Sequence, residues 1–340
     1  MKILLIGQDR HWALERVYRR HLSEWCEVEL VPVEDWFDDF YQSSLLRKVQ
    51  VRLGLSDIYR QLGRRVLDAV DRFRPDVALV FKGMSVLPEV LEQIRARGIM
   101  LANYNPDHPF LFSSRGSGNE NVSGSIGLYD LHLSYSRPVL ERIRREYGID
   151  TGWLPFGFEL PEEDFSQIES EKEEMAVCFV GNPDPSREAM LTQVAAAGFP
   201  VVVHGHGWRP RLRGVEGVEV RDAVYGLDYW RTLRRYRVQL NIFRAHNVGS
   251  HNMRTFEVPA AGGIMLAPHS EDHRDFFAIG EEIFTWQDEG ELLDKIASLL
   301  ALSAEEAGSV RTAARRRCLE GGYSYRHRAK QLLESLTCLV

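Results

Sequence analysis

The residues best suited to chemistry lie in the second half of the chain. There a polar run, Asn247 to Met253, leads into Arg254-Thr255-Phe256-Glu257, and the pair Gly262-Gly263 precedes an apolar run ending at Pro268. A glycine-containing loop that feeds a short helix presents backbone N–H groups to an anion, and a diphosphate fits that description. Ser250, His251, Asn252, Met253 and Arg254 would surround such a group. Glu257, about one turn in, can accept two hydrogen bonds from a ribose diol. The same spacing lets it complement the helix dipole with Arg254 as its i,i+3 ion partner. The residues alone leave both readings open.

Two further loops follow strand-like runs, the position at which open parallel sheets bind ligands. Gly181-Asn182-Pro183-Asp184-Pro185-Ser186-Arg187 joins an apolar run to a helical one, with Arg187 placed to meet a diphosphate. His204-Gly205-His206-Gly207-Trp208-Arg209 exposes N–H groups at Gly205 and Gly207 and adds the charge of Arg209. Its alternating histidines lack a carboxylate or cysteine of fitting spacing, so no metal site is expected. Without a metal, negative charge developing on a departing diphosphate has to be met by cations and oriented N–H groups, here Arg187, Arg209 and Arg254. Candidates for acid–base work lie in the first half. They are Asp107-His108, fixed between Pro106 and Pro109, and His11, which follows Gly7-Gln8-Asp9-Arg10. Loop packing or helix capping is the competing role for each.

Apolar runs alternating with amphipathic stretches position these loops, the pattern of strand–helix units on a mainly parallel α/β sheet. The expected strands are Lys2 to Gly7, Glu27 to Val33, Val77 to Gly83, Ile99 to Asn105 and Leu131 to Ser136, then Met175 to Gly181, Pro200 to Gly205, Gly217 to Arg221, Val238 to Phe243, Gly263 to Pro268 and Glu282 to Trp286. Leu87 to Arg97 and Arg137 to Tyr147 read as helices closed by Gly98 and Gly148. Ser43 to Arg74 reads as one long or broken helical region interrupted near Gly54, and Ser303 to Leu336 as helix broken at Gly321-Gly322. The acidic stretch Pro161 to Glu174 reads as a solvated connector. The expected domains are therefore residues 1–160, residues 161–318 and a terminal helical piece, residues 319–340.

Composition sets the outer bounds. With 340 residues, 44% hydrophobic and 27% charged, and a net charge of −7, the chain is expected to be a soluble two-domain protein. Nucleic acid is not an expected partner, because its arginines alternate with acids, as in Glu141-Arg142-Ile143-Arg144-Arg145-Glu146. No apolar run reaches the length of a membrane span, the first residues are too strand-like for a signal peptide, and the four cysteines lie far apart, so a cytoplasmic protein is expected. The fingerprints G-x-G-x-x-G, the P-loop and G-x-S-x-G are missing, which argues against dinucleotide, nucleoside-triphosphate and esterase chemistry.

The run Arg254-x-Phe256-Glu257-x5-Gly263-x-Met265-Leu266, followed by Phe276-Phe277 and Gly280-Glu281-Glu282, resembles the C-terminal domain of CgeB-like glycosyltransferases. Phe179-Val180-Gly181-Asn182 with Arg187, Val203-His204-Gly205 with Gly207-Trp208, Leu240-Asn241-Ile242, Glu291-Leu292 and Tyr325-Arg326-x-Arg328 follow in the family's order. In the first half the likeness rests on Tyr129-Asp130, Leu154-Pro155-Phe156-Gly157 and Asn105-Pro106-Asp107-His108-Pro109. The resemblance implies a GT-B enzyme with two Rossmann-like domains facing a cleft. It also implies a nucleotide-sugar donor held by the C-terminal domain, an unidentified acceptor on the N-terminal side, no metal or other cofactor, and a last helix crossing back to the first domain. In related retaining enzymes two glutamates eight residues apart flank the loop before the donor helix. Glu257 matches the second, the ribose contact, while Gly249 stands where the first would fall. Retention and inversion stay open on that departure, as does a non-catalytic nucleotide- or glycan-binding relative acting in assembly.

Overall fold

The computed structural model describes residues 1–112, 117–244 and 249–339. In chain order the strands are β1 (Lys2–Ile6), β2 (Glu27–Val31), β3 (Val77–Phe81), β4 (Met100–Asn105), β5 (Leu131–Ser134), β6 (Asp150–Trp153), β7 (Glu174–Val180), β8 (Val201–His204), β9 (Val218–Arg221), β10 (Tyr236–Leu240), β11 (Met265–Pro268) and β12 (Phe284–Trp286). The helices are α1 (Leu14–Leu22), α2 (Val33–Gln42), α3 (Leu45–Arg52), α4 (Ile58–Phe73), α5 (Pro88–Arg95), α6 (Glu120–Ser125), α7 (Arg137–Tyr147), α8 (Glu162–Ser166), α9 (Pro185–Ala196), α10 (Gly226–Arg235), α11 (Arg254–Ala260), α12 (Glu271–Phe276), α13 (Glu289–Leu300), α14 (Ala304–Glu320) and α15 (Tyr325–Thr337).

The chain forms two compact units, Met1–Pro155 with Tyr325–Val340, and Phe156–Ser324. The first holds a six-stranded sheet in the order β2-β1-β3-β4-β5-β6, parallel throughout. Strands such as Val77-Ala78-Leu79-Val80-Phe81 are apolar at every position because helices cover both faces. Leu4, Ile6, Ala78 and Val80 pack under α4 and α5. Ile3, Leu5, Val77 and Leu79 meet Tyr18 and Leu22 of α1 and Tyr325, Ala329, Leu332 and Leu336 of α15. The last helix is thus part of the first unit's core.

The second unit repeats the plan in the order β12-β11-β10-β7-β8-β9, again parallel. Val177, Phe179, Val203, Val238 and Leu240 pack against Leu191 and Val194 of α9 and Leu292, Ile296 and Leu299 of α13. In each unit the strand order reverses once, between β1 and β3 and between β7 and β10. Loops leaving such a point are splayed apart, and the crevice between them is where doubly wound sheets take ligands.

Two sequence expectations are revised. β6 was not anticipated: Asp150-Thr151-Gly152-Trp153 is a short polar edge strand with no apolar run to mark it. The stretch Ser43 to Arg74 is broken where expected, into α3 and α4 parted by Gly54 at φ +67°. The acidic stretch Pro161 to Glu174 is largely exposed, as expected of a connector, but it is also docked. Phe165 and Ile168 are buried, Glu162 pairs with Arg315 at 2.5 Å, Glu171 with Arg235 at 2.7 Å, and Glu173 with Arg237 at 2.5 Å and Arg311 at 2.6 Å. Carboxylates that look solvated in sequence here neutralise arginines far along the chain.

Candidate functional site

In the second unit the loops after β7 and β8 are locked to each other. Gly181 N–H donates to the His204 carbonyl at 2.9 Å, and Trp208 Nε1–H donates to the Gly181 carbonyl at 2.7 Å. At Gly205, φ is +154° and a Cβ would stand 2.2 Å from the Gly181 oxygen, so no other residue fits the crossing. Trp208 is fully buried in the core, which revises its expected ligand contact to a structural one. His204 is revised likewise. Its Nδ1–H donates to the Asp222 carbonyl at 3.1 Å and its Nε2 accepts from the Tyr236 hydroxyl at 3.1 Å. Arg209, well exposed, pairs with Asp222 at 2.8 Å.

Arg187 sits at the reversal between β7 and β10. It donates Nε–H and Nη2–H to the Ile242 carbonyl at 3.2 and 2.9 Å and Nη1–H to the Asn182 carbonyl at 2.9 Å, with Asp184 beside it at 3.2 Å. Burial pushes its guanidinium down to about 10, with Asp184 opposing the shift. Of the five N–H groups of a guanidinium, two are left for a ligand at this loop. Asp184 caps α9 through the N–H groups of Ser186 and Arg187, so this helix start already carries a carboxylate.

The segment entering α11 is built by side chains that satisfy one another. Asn241, at the end of β10, exchanges amide hydrogen bonds with Asn252 at 2.7 and 3.1 Å. Asn252 Oδ1 accepts the Thr255 N–H at 3.2 Å while Thr255 Oγ1 accepts the Asn252 N–H at 3.3 Å, a reciprocal cap. The N–H groups of Phe256 and Glu257 both turn back to the Met253 carbonyl at 3.1 Å. The helix start therefore spends on itself the donors of Thr255, Phe256 and Glu257, which narrows the anion site read from sequence. Ser250 and His251 also face inward. His251 is fully buried among Phe156, Phe256 and Phe276, donates Nδ1–H to Asp272 at 2.7 Å and accepts the Phe156 N–H on Nε2 at 3.3 Å. Ser250 Oγ donates to the same carboxylate at 2.9 Å. Their role is to fold the loop. Asn247, in the same run, lies outside the described residues.

Glu257 is different. It is buried, yet only Oε2 is engaged, accepting from the Tyr229 hydroxyl at 2.7 Å and from Arg254 Nη1. The Arg254 guanidinium lies 4.7 Å over the Tyr229 ring. Among the described residues Oε1 has no partner, leaving two lone pairs for a diol. The far end of α11 is held as firmly. Arg311 Nη1–H donates to the Gly262 carbonyl at 2.8 Å and to that of Arg234 at 2.7 Å, and Arg315 Nη1–H donates to the Ala260 carbonyl at 2.7 Å. Cations at a helix C-terminus complement its dipole, and these two fix the helix that carries Glu257.

In the first unit the reversal between β1 and β3 gathers groups that sequence reading missed. Glu15 of α1 folds under the β1 end, accepts the Gln8 N–H at 3.2 Å and occupies the space a Cβ at Gly7 would need, 2.7 Å away. Burial pushes its carboxyl up to about 7, with Lys82 pulling the other way. Glu34 is raised by burial against two Ser85 donors, N–H at 2.9 Å and Oγ–H at 2.5 Å. Lys82, just past β3, holds φ +55°, uncommon outside glycine, and its ammonium pairs with Asp107 at 2.5 Å. Asp107 is oriented by its own N–H, which donates to Asn105 Oδ1 at 2.9 Å. The structure thus brings Asp107 into a carboxylate–lysine cluster. His108 Nδ1 accepts the Phe110 N–H at 3.2 Å, and His11 lies exposed in an edge contact with Trp12.

Residues 187–334 match the family described as glycosyl transferase-like. Among curated proteins no match is found. Solved structures resemble the whole chain. A sucrose-phosphate synthase from Thermosynechococcus elongatus is 14% identical at a TM-score of 0.67, covering 99% of this chain and 98% of that one. The Anabaena protein HepE in complex with UDP-glucose is 13% identical at a TM-score of 0.66, covering 99% and 100%. A trehalose-6-phosphate synthase is 13% identical at 0.65, covering 99% of both chains. At that identity the likeness establishes the fold, which is GT-B. The family match covers most of the second unit and runs into α15 of the first.

Proposed function

We propose that this chain transfers a sugar from a nucleotide-sugar donor to a hydroxyl or amine acceptor, without a metal. The observation that carries the reading is Glu257, a buried carboxylate with Oε2 fixed by Tyr229 and Arg254 and Oε1 open. Such a group suits the ribose diol of a bound nucleotide. Arg254, backed by the two remaining N–H groups of Arg187, meets the charge of the leaving diphosphate. Gly181, Asn182, Gly205 and Gly207 bring backbone close to it, and Met253 adds a main-chain wall. HepE binding UDP-glucose supports a uridine donor. The first unit receives the acceptor, with Asp107 and Glu15 as the groups that take its proton and Lys82 setting their charge. The separation of the four cysteines fits a reducing compartment, and we place the activity in the cytoplasm. A nucleotide- or glycan-binding assembly role without catalysis is favoured by one feature, Gly249 where related retaining enzymes carry a glutamate.

Titration calorimetry with UDP, GDP, dTDP and ADP tests this reading. Glu257→Ala should weaken the best ligand by roughly 10- to 100-fold, the value of charge-assisted hydrogen bonds. An affinity equal to the wild type would remove Glu257 from the ribose role. Donor hydrolysis by the wild type that disappears in Asp107→Ala separates an enzyme from a binding protein.

A further inference from the structure

α3 is amphipathic in the wrong sense for a globular protein. It buries none of its residues. Leu45 is 80% exposed, Leu46 67% and Val49 48%, and just past the helix Leu53 is 66% and Leu55 73%. At about 100° per residue, Leu45, Val49, Leu53 and Leu46 fall within an arc of about 100°. Val51 lies opposite that arc and is the α3 residue that packs on the first unit's core. A helix at the surface of a folded domain ordinarily turns its apolar stripe inward. Here the stripe points out. Contiguous exposed apolar surface of this kind marks an interaction site.

Its charge says what covers it. Between Asp39 and Asp57 there is no acid, while Arg47, Lys48 and Arg52 supply three bases in a chain whose net charge is −7. Neutral groups hold two of them in place. Arg47 donates to Ser43 Oγ at 2.8 Å and stacks over Phe40 at 4.6 Å, and Lys48 lies 5.7 Å over Tyr41. Among the described residues no carboxylate pairs with any of the three. A second copy of the chain would bring these bases against their own counterparts. A bilayer surface with anionic headgroups meets both features at once, taking the leucines at the headgroup–acyl boundary and the bases on phosphates.

We propose that α3 and the turn to Leu55 form a docking surface for an anionic membrane leaflet. A helix of two turns gives reversible, peripheral attachment, and no helix among the described residues is long and apolar enough to cross a membrane. The proposal stands independently of the donor site.

Vesicle co-sedimentation of the full chain tests it, using phosphatidylcholine alone and phosphatidylcholine mixed with phosphatidylglycerol. Binding is expected to the mixed vesicles at low ionic strength and should fall as salt screens the bases. Replacing Arg47, Lys48 and Arg52 together by glutamine should cost about fivefold per base, on the order of 100-fold in all. The surface variant L45S/V49S/L53S should lose binding while its melting temperature stays at the wild-type value. Wild type that ignores the mixed vesicles at low salt, or variants that bind them as well as wild type does, would overturn the proposal. So would a dimer by sedimentation equilibrium that L45S/V49S/L53S dissolves, since the stripe would then belong to a second copy.

Discussion

Replacing Glu15 by glutamine isolates the charge at the centre of the first unit's cluster. Glutamine keeps the oxygen that accepts the Gln8 N–H and nearly the same volume against Gly7. What it removes is the ionisation. Burial lifts the carboxyl from its ordinary 4.5 to about 7, the Lys82 ammonium offsetting part of that rise. A lift of about 2.5 units at about 1.36 kcal/mol each makes the charged form about 3 kcal/mol costlier in the folded protein. Because the folded pKa is the higher one, folding takes up a proton. The contribution of Glu15 is complete below about pH 4.5 and is lost as pH rises through about 7. Wild type should therefore fall by about 3 kcal/mol relative to Glu15→Gln between those limits. For a unit of this size that is roughly 6–12 °C in melting temperature. Paired calorimetric melts of the two proteins from pH 4.5 to 8 measure it, since other titrating groups cancel in the difference. Curves that run parallel within about 1 kcal/mol would refute the reasoning, showing that Lys82 or entering water stabilises the carboxylate against burial.

Two further substitutions probe the second unit. Gly205→Ala places a Cβ 2.2 Å from the Gly181 oxygen and forces a side chain onto φ +154°, so thermal melting should show a loss of roughly 2–3 kcal/mol. Arg311→Met strips the Gly262 and Arg234 carbonyls of a donor and leaves Glu173 with Arg237 alone. It should cost roughly 3 kcal/mol in chemical denaturation and weaken nucleotide binding through α11, with Arg311→Lys restoring only part of it.

Much of the scaffold was legible because parallel strands covered on both faces are written as unbroken apolar runs, as in Ile3-Leu4-Leu5-Ile6 and Val201-Val202-Val203. β6 was not, since an edge strand needs no such run. The place of Glu257 near the start of a helix was legible because helix-start spacing is local, and the side chains that hold it and its helix, Tyr229, Arg311 and Arg315, were not, because they arrive from α10 and α14. His251, Trp208 and His204 carry polar atoms that suit a ligand equally well. Only their burial and their partners Asp272, Gly181 and Tyr236 show that the fold consumes them. Glu15 and Lys82 were invisible for a related reason. Residue type does not encode a carboxylate tucked beneath a glycine or a lysine at positive φ.

The first unit's composition from two stretches of chain has a consequence for synthesis. Ile3, Leu5 and Tyr18 find part of their packing only in Tyr325, Ala329, Leu332 and Leu336. As the polypeptide leaves the ribosome, Met1–Pro155 must therefore hold one apolar face unfinished while Phe156–Ser324 emerges with its own complete core. The half made second is thus able to fold first. The half made first waits on a helix more than a hundred residues away, with one face of its sheet only partly covered until then.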